Sequence, residues 1–188
     1  MSVEVTTKPY RVMLEASSKV AYPEAVSDTD TRWLDHAERR AWLTLTALTI
    51  RMPAAVDAHL QRAAGLTLYE YYVLAMLSEE STRTLRMSEL AARTDASLSR
   101  LSHVVSKLER RGLTRRQPCP DDGRVTLAVL SDEGWKMVVD TAPAHVEFVR
   151  SMVFDALGPG DVEHVERIGG LLLNTLDPER QLLDRGRP

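Results

Sequence analysis

The run SLSRLSHVVSKLERRGLTRRQPCPDDGRVTLAVL, Ser97 to Leu130, leaves few folds open. Its first half has helical periodicity, with Leu98, Leu101, Val105 and Leu108 on one face. Ser97 offers a side-chain acceptor to the free amides at the start, and Gly112 ends the helix. The second half changes period. Leu113 to Gln117 reads as one strand and Val125 to Leu130 as the next, with Val125, Leu127 and Val129 alternating inward. Pro118, Pro120, Asp121, Asp122 and Gly123 form the turn between them. Upstream, Ser88 is placed to cap a short helix carrying Leu90 and Ala91, and Thr94, Asp95 and Ala96 make a tight turn. A short helix, a tight turn, a capped helix and a hairpin spell a helix-turn-helix with a wing.

Charge supports that reading. The 188-residue chain carries a net charge of -3. From Ser97 to Arg124, however, seven cations (Arg100, Lys107, Arg110, Arg111, Arg115, Arg116, Arg124) meet three carboxylates (Glu109, Asp121, Asp122), so this segment is +4 and the rest of the chain -7. A confined positive field on an acidic body is the footprint of a polyanion contact. The helix face opposite the leucines shows Ser99, Arg100, His103, Ser106, Lys107 and Arg110, with its short hydroxyls near the N-terminus, where base edges are read. Arg115, Arg116 and Arg124 fall along the wing, within reach of phosphates or a narrow minor groove. Some of these residues have plainer roles open to them. Arg110 and Arg111 complement the dipole at the helix C-terminus. His103 is either a contact or an ordinary surface residue, and pairing of Arg124 with Asp122 would stiffen the wing.

The flanks read as helices. Residues 1–30 have no clean periodicity and form an N-terminal arm. Between Asp30 and Gly65, Leu34, Ala37, Ala41, Leu45 and Leu48 draw an apolar stripe that Trp33 and Trp42 widen, and Pro53 breaks or restarts the helix. Thr67 and Glu70 have the spacing of a capping box, ahead of the core candidates Tyr71, Leu74, Ala75 and Leu77. LRM, 85–87, is one short strand. Ser131 opens another helix, which Pro143 kinks, and Asp161 caps a last one bearing Val162, Val165, Ile168, Leu172 and Leu176. Residues 31–65 and 131–177 thus form a helical dimerisation region around a winged helix-turn-helix at 66–130, with a tail at 178–188. Long apolar helices far apart in sequence commonly find their core in a second subunit, which predicts a two-fold dimer; the alternative is packing within one chain.

Other classes lack support. No Gly-rich dinucleotide or phosphate loop, no G-x-S-x-G and no H-E-x-x-H occurs, so neither catalytic residues nor a cofactor are assigned. His36, His59, His103, His145 and His164 are scattered and no metal site is assigned. Cys119 has no second thiol to pair with and reads as a plain exposed loop residue of the wing. No segment has the apolar length of a membrane span and the first residues lack a secretory signal, so a cytoplasmic location is expected.

These motifs resemble the MarR family of multiple-antibiotic-resistance-type regulators. The features that carry the resemblance are Leu90, LERRGL at 108–113, Asp121-Asp122-Gly123-Arg124 in the wing, the run Leu130 to Gly134, and LTLYEYYVLAML before them. The similarity runs from about residue 31 to 177. It implies a mainly α fold with a small β-wing, flanked by N- and C-terminal dimerisation helices. It also implies a homodimer on a palindromic double-stranded DNA operator, regulation of transcription as a repressor, and release by a small phenolic or aromatic carboxylate effector. The DNA-contact set is then Ser97, Ser99, Arg100, His103, Lys107, Arg115, Arg116 and Arg124, with Arg100 suited to a guanine edge. An effector cleft would draw on Trp33, His36, Arg39, Arg40 and Trp42, with Tyr71 and Tyr72 from the neighbouring helix; the same aromatics would also serve as dimer core. The contrasting reading is a winged-helix module that binds protein, which would show no salt-dependent DNA affinity.

Overall fold

A computed structural model of the protein describes residues 32–178. The 1–30 arm, and the 178–188 tail apart from Pro178, lie outside the described residues. The chain divides between Thr44 and Leu45 into two compact units. In the first, the Asp35 carboxylate accepts the amides of Ala37 and Glu38 at 2.6 and 2.8 Å, and Glu38 accepts the Asp35 amide in return. This reciprocal cap starts helix α1, His36–Ala64. Trp33 and Trp42 are exposed in this unit at 65% and 59%.

Pro53 does not interrupt α1, contrary to the sequence expectation. A proline removes one intrahelical bond and strains one turn, and the rest of this 29-residue helix carries that loss. The helix ends where Gly65 turns left-handed at φ +62° and the Leu66 amide folds back to the Leu60 carbonyl.

The second unit holds the core. Helix α2, Leu68–Glu79, begins at the expected capping box: the Thr67 hydroxyl accepts the Glu70 amide and the Glu70 carboxylate accepts the Thr67 amide. Strand β1 is Thr84–Arg86. Helix α3, Met87–Arg93, follows without a side-chain cap; Ser88 lies inside it rather than capping it, because the strand runs directly into the first helical turn. The Thr94–Ala96 turn is tight, with Asp95 at φ +48°. Helix α4, Leu98–Arg110, is capped by Ser97 and ends at Gly112, whose φ of +74° favours glycine. Strands β2, Thr114–Pro118, and β3, Thr126–Leu130, pair antiparallel, with Arg116 opposite Ala128. β1 joins the other edge of β3, so the sheet order is β1-β3-β2 and β2 is an edge.

Helix α5, Asp132–Met152, continues through Pro143. Its start explains the leucine-serine-x-x-glycine pattern. The Ser131 hydroxyl accepts the Gly134 amide and donates to the Gly112 carbonyl, while the Ser131 amide donates to Leu113. A Cβ on Gly134 would lie 2.1 Å from that Leu113 carbonyl oxygen, so the close joint between β2 and α5 requires glycine. A 3-10 turn, Phe154–Ala156, leads to helix α6, Asp161–Leu176. Asp161 is the first helical residue, not its cap; left-handed Gly160 holds the cap position, and the Asp161 carboxylate reaches back to the Gly158 amide.

Leu60, Leu66, Leu74, Leu77, Leu90, Leu101 and Leu108 have no exposed surface and anchor one core shared by the end of α1, α2, α3, α4 and the sheet. Leu98 departs from its expected inward face: it is 54% exposed and borders a hollow between α4 and the wing. Of the wing residues expected to point inward, only Val129 is buried; Val125 and Leu127 are half-buried. No residue of α6 is buried, and Val162, Val165, Ile168, Leu172 and Leu176 all face outward.

Candidate nucleic-acid interface

Helix α4 buries Leu101, Val105 and Leu108, which fixes the direction of every other side chain on it. At 100° per residue, Ser99, His103, Ser106 and Arg110 form the ridge pointing away from the core. Ser99, His103 and Arg110 are exposed and Ser106 half-buried. Sequence reading placed Ser106 on this face without giving it a contact, and read Arg110 as a partner of the helix dipole. The signal that groups them was present in the spacing of three and four from Ser99 through His103.

Arg100 and Lys107 lie on one flank of that ridge, facing α2. The Arg100 guanidinium stacks over the Tyr69 ring, 4.5 Å from its centroid, and the Tyr69 hydroxyl shares a hydrogen bond with Thr94 in the helix-turn-helix turn. Lys107 pairs with Glu70. Burial pushes the Glu70 carboxyl up, but the Lys107 ammonium and the Thr67 amide outweigh burial and hold it below the ordinary carboxylate value. Tyr69, Tyr72, Val104, Arg100 and Lys107 line one wall of a cavity of about 990 Å³ that Pro53, Ala54 and Asp57 of α1 close on the other.

The opposite flank of α4 meets the wing. Arg116 is committed to Glu109: its amide and its Nε and Nη2 atoms all donate to the two carboxylate oxygens, at 2.8, 3.0 and 2.8 Å. Arg115, its neighbour on β2, is exposed, as is Arg124 at the far side of the turn. The expected pairing of Arg124 with Asp122 takes a different form. The Arg124 backbone amide donates to the Asp122 carboxylate at 3.0 Å, and among the described residues its guanidinium has no ion-pair partner. Ser102, Arg116 and Arg124 line a second hollow of about 320 Å³ between α4 and the wing. Arg111, expected to complement the dipole of its own helix, donates instead to the Gly65 carbonyl at 3.0 Å and ties α4 to the end of α1. Cys119 is buried at the base of the turn, where its amide donates to Val125, and is not the exposed loop residue expected.

Of the residues proposed for an effector, Tyr71 is buried in the core, where its ring stands edge-on to His145 at 4.9 Å. Burial raises its phenol above the ordinary value. Tyr72 reaches the cavity, and its hydroxyl donates to the Arg93 carbonyl. In the first unit, His36 and Arg40 are exposed and Arg39 is half-buried. Among the described residues no three His, Cys, Asp or Glu side chains are grouped to hold a metal, and no helix is long and apolar enough to cross a membrane.

A capped helix after a tight turn, backed by a three-stranded sheet whose last hairpin projects beside it, defines a winged helix-turn-helix protein. Residues 64–125 match the model of the MarR family. The chain is 38% identical to Sco3205, a MarR family transcriptional regulator from Streptomyces coelicolor whose crystal structure is a complex with DNA; the match covers 80% of this chain and 94% of that one, with a TM-score of 0.76. It is 36% identical to AbsC, a MarR family transcriptional regulator from the same organism, over 78% of this chain and 98% of that one, with a TM-score of 0.74. CouR from Rhodococcus jostii RHA1, solved with p-coumaroyl-CoA, matches at 25% identity over 73% and 92% of the two chains, with a TM-score of 0.62. No curated protein sequence matches the chain. The chain belongs to the MarR family; its members are transcriptional regulators, not enzymes.

Proposed function

We propose that the protein binds a palindromic operator as a homodimer and represses transcription until a small aromatic anion displaces it. The observation that carries this reading is the outward ridge of α4 beside the guanidinium of Arg124 at the wing, neither with an ion-pair partner among the described residues. The DNA complex of Sco3205 supports it. In this reading the ridge enters the major groove, with Ser97, Ser99, His103 and Arg110 on bases and phosphates, while Arg115 and Arg124 anchor the wing. Arg100 stays stacked on Tyr69 as it reads guanine. Stacking uses only the face of the guanidinium and leaves its in-plane N–H groups free for O6 and N7, so Tyr69 aims the fork rather than hiding it. Lys107 must exchange Glu70 for a phosphate. A second copy of the chain covers the outward apolar face of α6 and the exposed Leu45 and Leu48 of α1.

The cavity beneath Arg100 and Lys107 supplies the release step. Its tyrosines suit an aromatic ring, and Arg100, with Lys107 once it leaves Glu70, suits a carboxylate against the Asp57, Glu70 and Asp95 carboxylates that share the lining. A ligand that recruits those cations withdraws them from DNA, which is the differential affinity a switch needs. Trp33, His36, Arg39, Arg40 and Trp42, which lie in the first unit, remain candidates for an effector contact of their own. The liganded complex of CouR is in keeping with a ligand-responsive regulator.

A mobility-shift titration with a sequence selected from a random DNA pool tests the DNA reading. Arg124→Ala should weaken binding and flatten its salt dependence without loss of the dimer. Unchanged affinity would remove the wing from the interface, and no salt-dependent DNA affinity in the native chain would remove DNA altogether. A thermal-shift screen with benzoates and hydroxycinnamates tests the effector; no stabilised melting would remove it.

A further inference from the structure

We infer that Glu109 is a positioning residue that sets the angle between the wing and α4, and that Arg116 is its lever rather than a contact to DNA. The inference rests on the DNA-binding reading above. Strand β2 is an edge strand, bonded to β3 on one side only. On its helix side, Thr114 and Arg116 tie it down. The Thr114 hydroxyl donates to the Val105 carbonyl at 3.4 Å, a long bond close to the root of the hairpin. Two residues further out, Glu109 takes three hydrogen bonds from Arg116, one from the backbone and two from the guanidinium. Beyond Arg116 the wing is separated from α4 by the 320 Å³ hollow, and no hydrogen bond links the two among the described residues. The last tether of the wing is therefore this clamp.

Its geometry suits the role. A backbone amide and a guanidinium held by the two oxygens of one carboxylate fix both the strand and the side chain, where a lone ion pair would fix only the side-chain tip. The clamp also changes the charge balance. Glu109 neutralises Arg116, so of the three wing arginines Arg115 and Arg124 are the ones with no ion-pair partner among the described residues. A phosphate contact by Arg116 would have to break its two guanidinium hydrogen bonds to Glu109 first. Both partners are about one-third exposed, so the pair adds little to global stability and its loss leaves the fold intact.

The test is a double-mutant cycle on operator binding by the full chain, with thermal melting of each variant as the control. Glu109→Ala and Arg116→Ala should each lower affinity on the order of tenfold, and the double variant should be no worse than either. Hydroxyl-radical protection under the wing should fade in all three, while protection of guanines from methylation under α4 persists. Melting should stay near that of the native chain. Glu109→Ala binding at or above native affinity, or losses that add in the double variant, would make Arg116 a direct contact and overturn the inference. A native chain that protects no DNA in either footprint would fail the DNA reading, and this inference with it, a result that neither variant outcome resembles.

Discussion

The ammonium of Lys107, in the last turn of α4, is paired with the carboxylate of Glu70, which is 2% exposed and also closes the capping box of α2. One side chain therefore starts one helix and orients another. A buried carboxylate is costly without its cation, and the capping bond adds its own share. Glu70→Gln is expected to lower the unfolding free energy by about 1–3 kcal/mol. Lys107→Met should cost a similar amount, and the double variant less than the sum. Urea denaturation of the three variants checks this; additive losses would show that the two groups are not coupled.

Adjacent arginines at the end of α4 should behave differently. Arg110 points outward, whereas Arg111 donates to the Gly65 carbonyl. Arg110→Ala is expected to reduce the salt slope of DNA binding by about one with an unchanged melting temperature. Arg111→Ala should leave the slope alone and cost about 0.5–1.5 kcal/mol of stability. Titrations at several salt concentrations, run beside thermal melts, separate the two.

Gly134 has no room for a side chain, since its Cβ would meet the Leu113 carbonyl at 2.1 Å. Gly134→Ala should destabilise the fold at the upper end of about 1–3 kcal/mol, despite the better helix propensity of alanine. A melting temperature at or above that of the native chain would mean that β2 and α5 separate easily at this joint.

His59 stacks on Phe148 with ring centroids 4.3 Å apart, and His145 lies beside it at 6.1 Å. Among the described residues, the buried His59 Nε2 and His145 Nδ1 have no hydrogen-bond partner. Burial, and then the neighbouring His59, hold the His145 pKa below its ordinary value of 6.5. The unfolded chain thus binds a proton more readily than the folded one. The contribution of His145 is fully present above 6.5 and is lost as pH falls through that value toward the lowered folded pKa. Melting temperature should drop between about pH 7 and pH 5.5, and His145→Gln should flatten that slope. An identical slope in the variant would assign the acid sensitivity to another group.

The local signals in the chain were strong where chemistry is local. The Thr67–Glu70 box, the Ser97 and Ser131 caps, the Gly112 stop and the strand–turn–strand of the wing all depend on neighbours a few residues away, and the structure has them. Ser88 and Asp161 misled because a capping residue type was read as a cap without knowing where the backbone enters the helix. Pro53 misled because its local cost is small beside a helix of 29 residues. The partners of Arg100, Lys107 and Arg111 were out of reach for a different reason. Tyr69, Glu70 and Gly65 come beside α4 only after the core has folded, so no spacing rule connects them. What looked like one uniform cationic face is, in three dimensions, a bare ridge between two flanks of engaged cations.

Helix α6 buries no residue of its own within the chain. An isolated sixteen-residue helix is marginal in water, so whatever covers its apolar side also supplies the free energy that keeps it wound. In the proposed homodimer, losing that neighbour would unwind the segment instead of releasing a finished helix into solvent, and partner binding and local folding would register as a single concentration-dependent transition.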